Sequence, residues 1–169
     1  IIVCLYGITA MAQTDNDSLK VVYHNTADKV QLKWLPGSYS VWMSGVKNGY
    51  FIDRYEVQQI NGQWKMVGKI RLNEQAIMPW SKEKITQEAP NNPDLKNVDL
   101  LLAGQDLENK ANPETPSDYL NLQSNKNFVF ILALFSQVMK NKTAEAMGTY
   151  YEDKTAQSGK IYLYRITLN

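Results

Sequence analysis

Strict alternation of apolar and polar side chains governs both ends of this chain and disappears from its middle. Val30-Gln-Leu32-Lys-Trp34 puts Val30, Leu32 and Trp34 on one face and Gln31 and Lys33 on the other, the period-two pattern of a half-buried strand. Leu35-Pro36-Gly37 ends it, since proline cannot donate to a central ladder. A weaker pattern over Leu19–Tyr23 predicts a strand before it. Gly49 to Val57 predicts the next, and Trp64 to Leu72 the strand that returns. Asn61-Gly62 between them supplies the two positive φ angles of a type I′ hairpin turn. Far along the chain, Tyr151-Glu-Asp153 and the alternating Tyr162 to Ile166, separated by a turn at Gly159, predict two more strands.

A helical period replaces the alternation elsewhere. Ser38 to Ser44 predicts a short helical turn closed by Gly45. Met78-Pro79-Trp80-Ser81 opens a helix to Ala89, which Pro90-Asn-Asn-Pro93 breaks. Leu95, Val98, Leu101 and Leu102 predict a second helix over Asp94 to Lys110, followed by a loop from Ala111 to Pro116. Ser117 or Asp118 would cap a third, with Gly148 closing it. That helix carries the run Phe128 to Phe135, then Val138 and Met139, with no polar side. It falls well short of the ~20 apolar residues of a membrane span. Burial on all sides is the expectation, at the centre of a helical subdomain.

Composition narrows the class. The 169 residues suit one domain with a substantial core, and a formal net charge of +1 gives no electrostatic footprint for nucleic acid or anionic lipid. Residues 1–12 pair an apolar run with Ala10-Met11-Ala12, which predicts a signal peptide lacking its positive n-region; residues 13–18 form a polar linker. Cys4, the one cysteine, lies inside that run without the neighbours of a lipoprotein anchor. A cysteine-free mature protein is then expected, exported to a bacterial periplasm, cell surface or medium, without disulfides or thiolate metal sites.

Four features now converge. They are Trp34, the strand Gly49-Tyr50-x-Ile52-x-Arg54, the pair Tyr151-x-Asp153, and Gly159-x-x-Tyr162-x-Tyr164. Together they make residues 19–72 and 149–169 resemble a fibronectin type III-like domain. Ala144, Gly148, Tyr151 and Asp153 match the phrase by which helix-containing bacterial members return to their sheet. The resemblance implies a β-sandwich of immunoglobulin-like kind with an inserted three-helix subdomain at about residues 74–148, α+β by content. Its structural core would hold Trp34, Tyr50, Ile52, Tyr151, Tyr162 and Tyr164, with Tyr162 laid out as a tyrosine corner. The family's last strand has no counterpart before Asn169, so an open edge beside the Tyr162 strand and a longer parent protein are expected. Members of this kind are spacers and partner-binding modules; the Arg-Gly-Asp tripeptide of some animal members is absent.

Candidate chemistry is sparse. His24 is the sole histidine, no Gly-x-Ser-x-Gly elbow accompanies it, and a structural role is expected for it. Glu83 and Glu88 fall on different faces of one helix, whereas Asp94, Asp99 and Asp106 read as a solvated face. No spacing of ligands predicts a metal, and no cofactor is implied. Asn141-Lys-Thr143, Asn16-Asp-Ser18 and Asp17-Ser18-Leu19 match glycosylation patterns too short to be specific. Trp42, Trp64 and Trp80 lie on or beside loops, where the large apolar area of each favours covering a core. Should any be exposed, Trp42 and Trp80 are the candidates for a partner or glycan contact. The expectation is therefore an exported, non-catalytic interaction or scaffold module with a protein partner. The alternative is an accessory carbohydrate-binding domain stacking sugar on Trp42 or Trp80.

Overall fold

The computed structural model describes residues 19–102, 113 and 115–169. The signal-peptide and linker expectations, Cys4 and Asp106 lie outside them. Strands β1 (Leu19–Asn25), β2 (Val30–Pro36) and β5 (Tyr150–Asp153) form one antiparallel sheet in the order β1-β2-β5. A second antiparallel sheet, β4-β3-β6, joins β3 (Tyr50–Ile60), β4 (Gln63–Arg71) and β6 (Ile161–Leu168). Asn61 and Gly62 take φ of 53° and 77°, so the hairpin turns as its dipeptide dictates. β6 stands at the edge of its sheet.

One apolar cluster draws on both sheets. Val30, Leu32 and Trp34 of β2 meet Tyr50 and Ile52 of β3, with Tyr151, Tyr164 and Ile166 packed against them. Trp34 and Tyr50 meet edge to face, 5.3 Å between centroids. Tyr162 is likewise buried, and Arg54 stacks 4.5 Å above its ring. The six residues expected in the core are thus all buried or packed against it.

A buried ion pair ties the sheets together. Arg54 Nη1 donates to Asp153 Oδ2 at 2.7 Å, and Tyr164 Oη donates to the same oxygen at 2.9 Å. The Thr155 N–H and hydroxyl donate to Asp153 Oδ1 at 2.9 and 2.7 Å. Burial pushes the Asp153 carboxyl up, but the bonds from Thr155 and Arg54 outweigh it and hold the group below its ordinary value.

The helices form a layer of their own. α1 (Tyr39–Asn48), α2 (Lys82–Glu88), α3 (Val98–Leu102), α4 (Pro116–Met139) and α5 (Asn141–Ala146) surround a cluster of Trp42, Met43, Val46, Ile85, Leu95, Val98, Leu101, Ala133 and Met147. Two short 3₁₀ turns, Ala89–Asn91 and Pro93–Leu95, carry the chain past its two prolines.

Several boundaries differ from expectation. Gly45 does not close α1: the helix runs to Asn48 and ends at Gly49, whose φ is +76°. Gly45 serves packing instead, because a Cβ there would collide with the buried Tyr50 hydroxyl. The expected helix over Asp94 to Lys110 is a 3₁₀ turn followed by the short α3, and residues 103–112 lie outside the described residues. The third expected helix is two, because Lys140 takes an extended conformation (φ −134°, ψ 119°) between α4 and α5. Thr115, not Ser117 or Asp118, caps α4, exchanging hydrogen bonds with Asp118 in a capping box. The helical layer is also not an insertion alone, since α1 supplies Trp42 and Met43 to its core. Finally, α4 is not buried on all sides, since Phe128, Ile131 and Phe135 face solvent.

The segment joining β4 to α2 is held from two directions. Tyr50 and Ile77 exchange backbone hydrogen bonds of 3.1 and 2.9 Å, and the Trp80 N–H donates to the Ala146 carbonyl at 2.8 Å. A Cβ on Gly49 would meet Met78 Sδ at 2.5 Å, and one on Gly148 would meet the Met78 and Pro79 backbone at 2.8 Å. Both glycines have positive φ. Residues 76–79 therefore run where only glycine leaves room on either side.

Candidate functional site: the outer face of α4 and its adjoining groove

Register places the polar half of the first sheet beneath the end of α4. Val22 pairs with Lys33 and His24 with Gln31, while Lys33 pairs with Tyr150, so these side chains share the face turned from the sheet core. Lys33 Nζ donates to the Val138 carbonyl at 3.1 Å, fixing the C-terminal turn of α4 over that face. Between them lies a groove of about 470 Å³, walled by Val22, Leu35 and Val138 and edged by His24, Lys33, Asn141 and Tyr150. Partial burial lowers the Lys33 pKa. Beside the groove, Glu152 accepts from Lys29 Nζ at 2.8 Å, Tyr150 Oη at 2.8 Å and Gln31 Nε2 at 3.1 Å. Those three donors, Lys29 foremost, pull its pKa down to about 2. Tyr150 is pushed up by burial and by its bond to Glu152. The carboxylate is thus engaged, and the groove offers an apolar wall with a hydrogen-bonding edge.

The groove opens onto a larger apolar surface. Phe128, Ile131, Leu132, Phe135, Val138 and Met139 of α4 are each between 41 % and 64 % exposed. Their spacing of three, four and seven residues makes one stripe along the helix. The opposite face, with Phe130, Ala133 and Gln137, packs inward; Phe130 lies 6.0 Å from Trp42. Gln137 is fully buried, donating to the Ala133 carbonyl and accepting from the Thr149 hydroxyl at 2.6 Å. Both sides of α4 are apolar for different reasons, so the run reads as uniformly buried in sequence and is not.

The other candidates are placed as follows. Trp42 is wholly buried in the helical core and presents no ring to a ligand. Trp80 packs against that core, and Lys84 and Lys142 stand 3.8 and 4.6 Å from its ring centroid. The exposed tryptophan is Trp64, at 47 %, on a strand whose two faces are both open. Its position just past the Asn61-Gly62 turn was the available signal, because a hairpin tip extends beyond whatever covers its base. His24, expected to be structural, edges the groove. Asp94 and Asp99 pair with Lys140 and Lys82 at 3.4 and 3.5 Å, on the solvated face expected of them. Among the described residues no cluster of three or more His, Cys, Asp or Glu side chains is placed to hold a metal, and no helix is long and apolar enough to cross a membrane.

No family model, curated protein or solved structure matches the chain.

Proposed function

We propose that this chain is a non-catalytic protein-interaction module, built on a fibronectin type III-like sandwich and working outside the cytoplasm. The observation that carries the interaction reading is the outer stripe of α4, continuous with the groove at Val138. Exposed apolar patches beyond a few hundred Å² are uncommon on monomers and mark contact surfaces. Aromatic residues such as Phe128 and Phe135 are enriched in the cores of such surfaces.

Three features support the scaffold reading. The strand orders β1-β2-β5 and β4-β3-β6 match a seven-strand sandwich of this kind lacking its last strand. Tyr162 Oη accepts from the Gln157 N–H, five residues upstream between β5 and β6, a bond back to the preceding backbone like that expected of a tyrosine corner. Trp34 is buried in the cluster shared by the two sheets, as the core tryptophan of such a domain would be.

The test compares the wild-type chain with a Phe128→Glu/Phe135→Glu variant of unchanged circular dichroism as immobilised baits for envelope proteins of a bacterial host and for free copies of this chain. Retention of a protein by the wild type and its loss with the variant supports the reading. Equal retention overturns it.

A second reading has its own observation. Trp64 pairs across the hairpin with Gln59 and lines an open depression of about 320 Å³, an exposed aromatic side chain beside an amide that suits stacking on a sugar ring. An accessory carbohydrate-binding role therefore shifts from Trp42 and Trp80 to Trp64. Glycan-array binding abolished by Trp64→Ala would establish it, and a blank array with folded protein would remove it.

A further inference from the structure

We infer that the partner of the α4 stripe is a second copy of this chain, the two helices packing antiparallel across a two-fold axis near Leu132 and Phe135. This rests on the protein-interaction reading above and names its partner.

Area is the first argument. At the ~150–250 Å² that an aromatic side chain presents, and less for aliphatic ones, the six exposed stripe residues leave roughly 600 Å² of apolar surface on one side of α4. The groove wall at Val22, itself 55 % exposed, extends the patch beyond Val138. A standard interface needs ~800 Å² per partner, so the stripe and its margin are of the size a stable dimer uses.

Charge is the second. From Tyr119 to Met139 the sole charged residue is Lys126, and it is turned inward, 5.5 Å from the Tyr39 ring. Asn121, Ser124, Asn125 and Asn127 prolong the stripe toward the helix start as a neutral polar rim. A surface without charge meets its own copy without repulsion, whereas a surface built for an oppositely charged partner would show the complement. A helix that lies on lipid flanks its apolar face with lysine and arginine. Here the cations at the C-terminal end of the stripe are engaged, Lys33 with the Val138 carbonyl and Lys140 and Lys142 with Asp94 and Glu145.

Geometry is the third. Phe128, Ile131/Leu132, Phe135 and Val138/Met139 repeat at the three-and-four spacing of a helix-pairing seam. An antiparallel, isologous pair places Phe128 of each copy against Met139 of the other, with Leu132 and Phe135 meeting at the axis. The asparagine rim of each copy then lies against the groove margin of the other, at the two ends of the contact.

The test uses the 1–169 chain in sedimentation-velocity runs across a concentration series, together with hydroxyl-radical footprinting of Phe128, Phe135 and Met139. The inference expects a concentration-dependent dimer and protection of the three side chains in the dimer alone. The Phe128→Glu/Phe135→Glu variant, with unchanged circular dichroism, should weaken dimerisation by at least about tenfold, as hot-spot aromatics do. Leu132→Glu, nearest the axis, provides an independent disruption. A monomer at all concentrations with a readily labelled stripe overturns the second copy and leaves the module reading standing. A monomer with a protected stripe means that residues 1–18 or another part of the chain covers it, which overturns both. A dimer unmoved by all these variants, with the stripe still labelled, places the interface elsewhere and overturns the inference.

Discussion

The two cores of this protein are held by different physics. The sheet core adds charge to its apolar cluster: Arg54 and Asp153, with side chains 11 % and 1 % exposed, are locked by Tyr164 and Thr155. The helical core is a cluster of aliphatic and aromatic side chains, its one fully buried polar side chain on α4 being Gln137, which bonds to Ala133 and Thr149. Polar ties have one good geometry, so they specify register; apolar packing tolerates many arrangements of similar volume. The sheets should accordingly be unforgiving and the helices adaptable.

The largest expected effect lies on the sheet side. Asp153→Ala leaves Arg54 buried without a counter-ion and should cost about 3–5 kcal/mol in a denaturant melt. The double change Arg54→Met/Asp153→Leu should cost distinctly less, since it removes both desolvation penalties. Equal losses would mean that the pair contributes through shape alone, and the comparison would fail.

Gly45→Ala probes where the two cores meet. Alanine ordinarily strengthens a helix interior by ~1 kcal/mol over glycine. Here its Cβ would strike Tyr50, so we expect net destabilisation of about 1–3 kcal/mol. A stabilised variant would show that Tyr50 has room to retreat. Smaller still, Tyr162→Phe deletes the bond from Gln157 and should cost about 0.5–1.5 kcal/mol, with little change in fluorescence from Trp34.

Acid should act on the first sheet with a predictable sign. Glu152 titrates near 4.5 when unfolded and at about 2 when folded. Its contribution is complete above 4.5 and is lost as pH falls from there toward 2. Asp153, also held below its ordinary 3.8, acts in the same direction. Melting temperature should therefore fall across that window, and Glu152→Gln should flatten part of the decline. Least of all, Phe128→Glu and Phe135→Glu should change monomer stability by no more than about 0.5 kcal/mol, because both rings are solvent-facing.

Legibility followed the same division. Alternation at Val30–Trp34 and the Asn61-Gly62 dipeptide foretold the strands because strand faces and I′ turns depend on local residues. Helix ends were harder. Gly45 carries the residue type of a terminator, yet its role is set by Tyr50 across the molecule, and the stop falls at Gly49. Nothing in Ser136 to Asn141 announces the break at Lys140. Tertiary contacts demand it, because Thr143 must reach the Asp94 carbonyl and Thr149 must reach Gln137. The α4 stripe stayed hidden because its inner face is equally apolar. Sequence distinguishes hydrophobic from polar, and not which hydrophobic face finds company.

The passage of residues 76–79 between Gly49 and Gly148 has a consequence for anyone trimming this chain. Helices and sheets share a seam with no slack, so they should denature as a single cooperative unit with one calorimetric transition. Excising residues 74–148 would not yield a leaner sheet scaffold. It would strip the Ile77 strand partner from Tyr50 and leave β4 and β5 without a fixed angle between them.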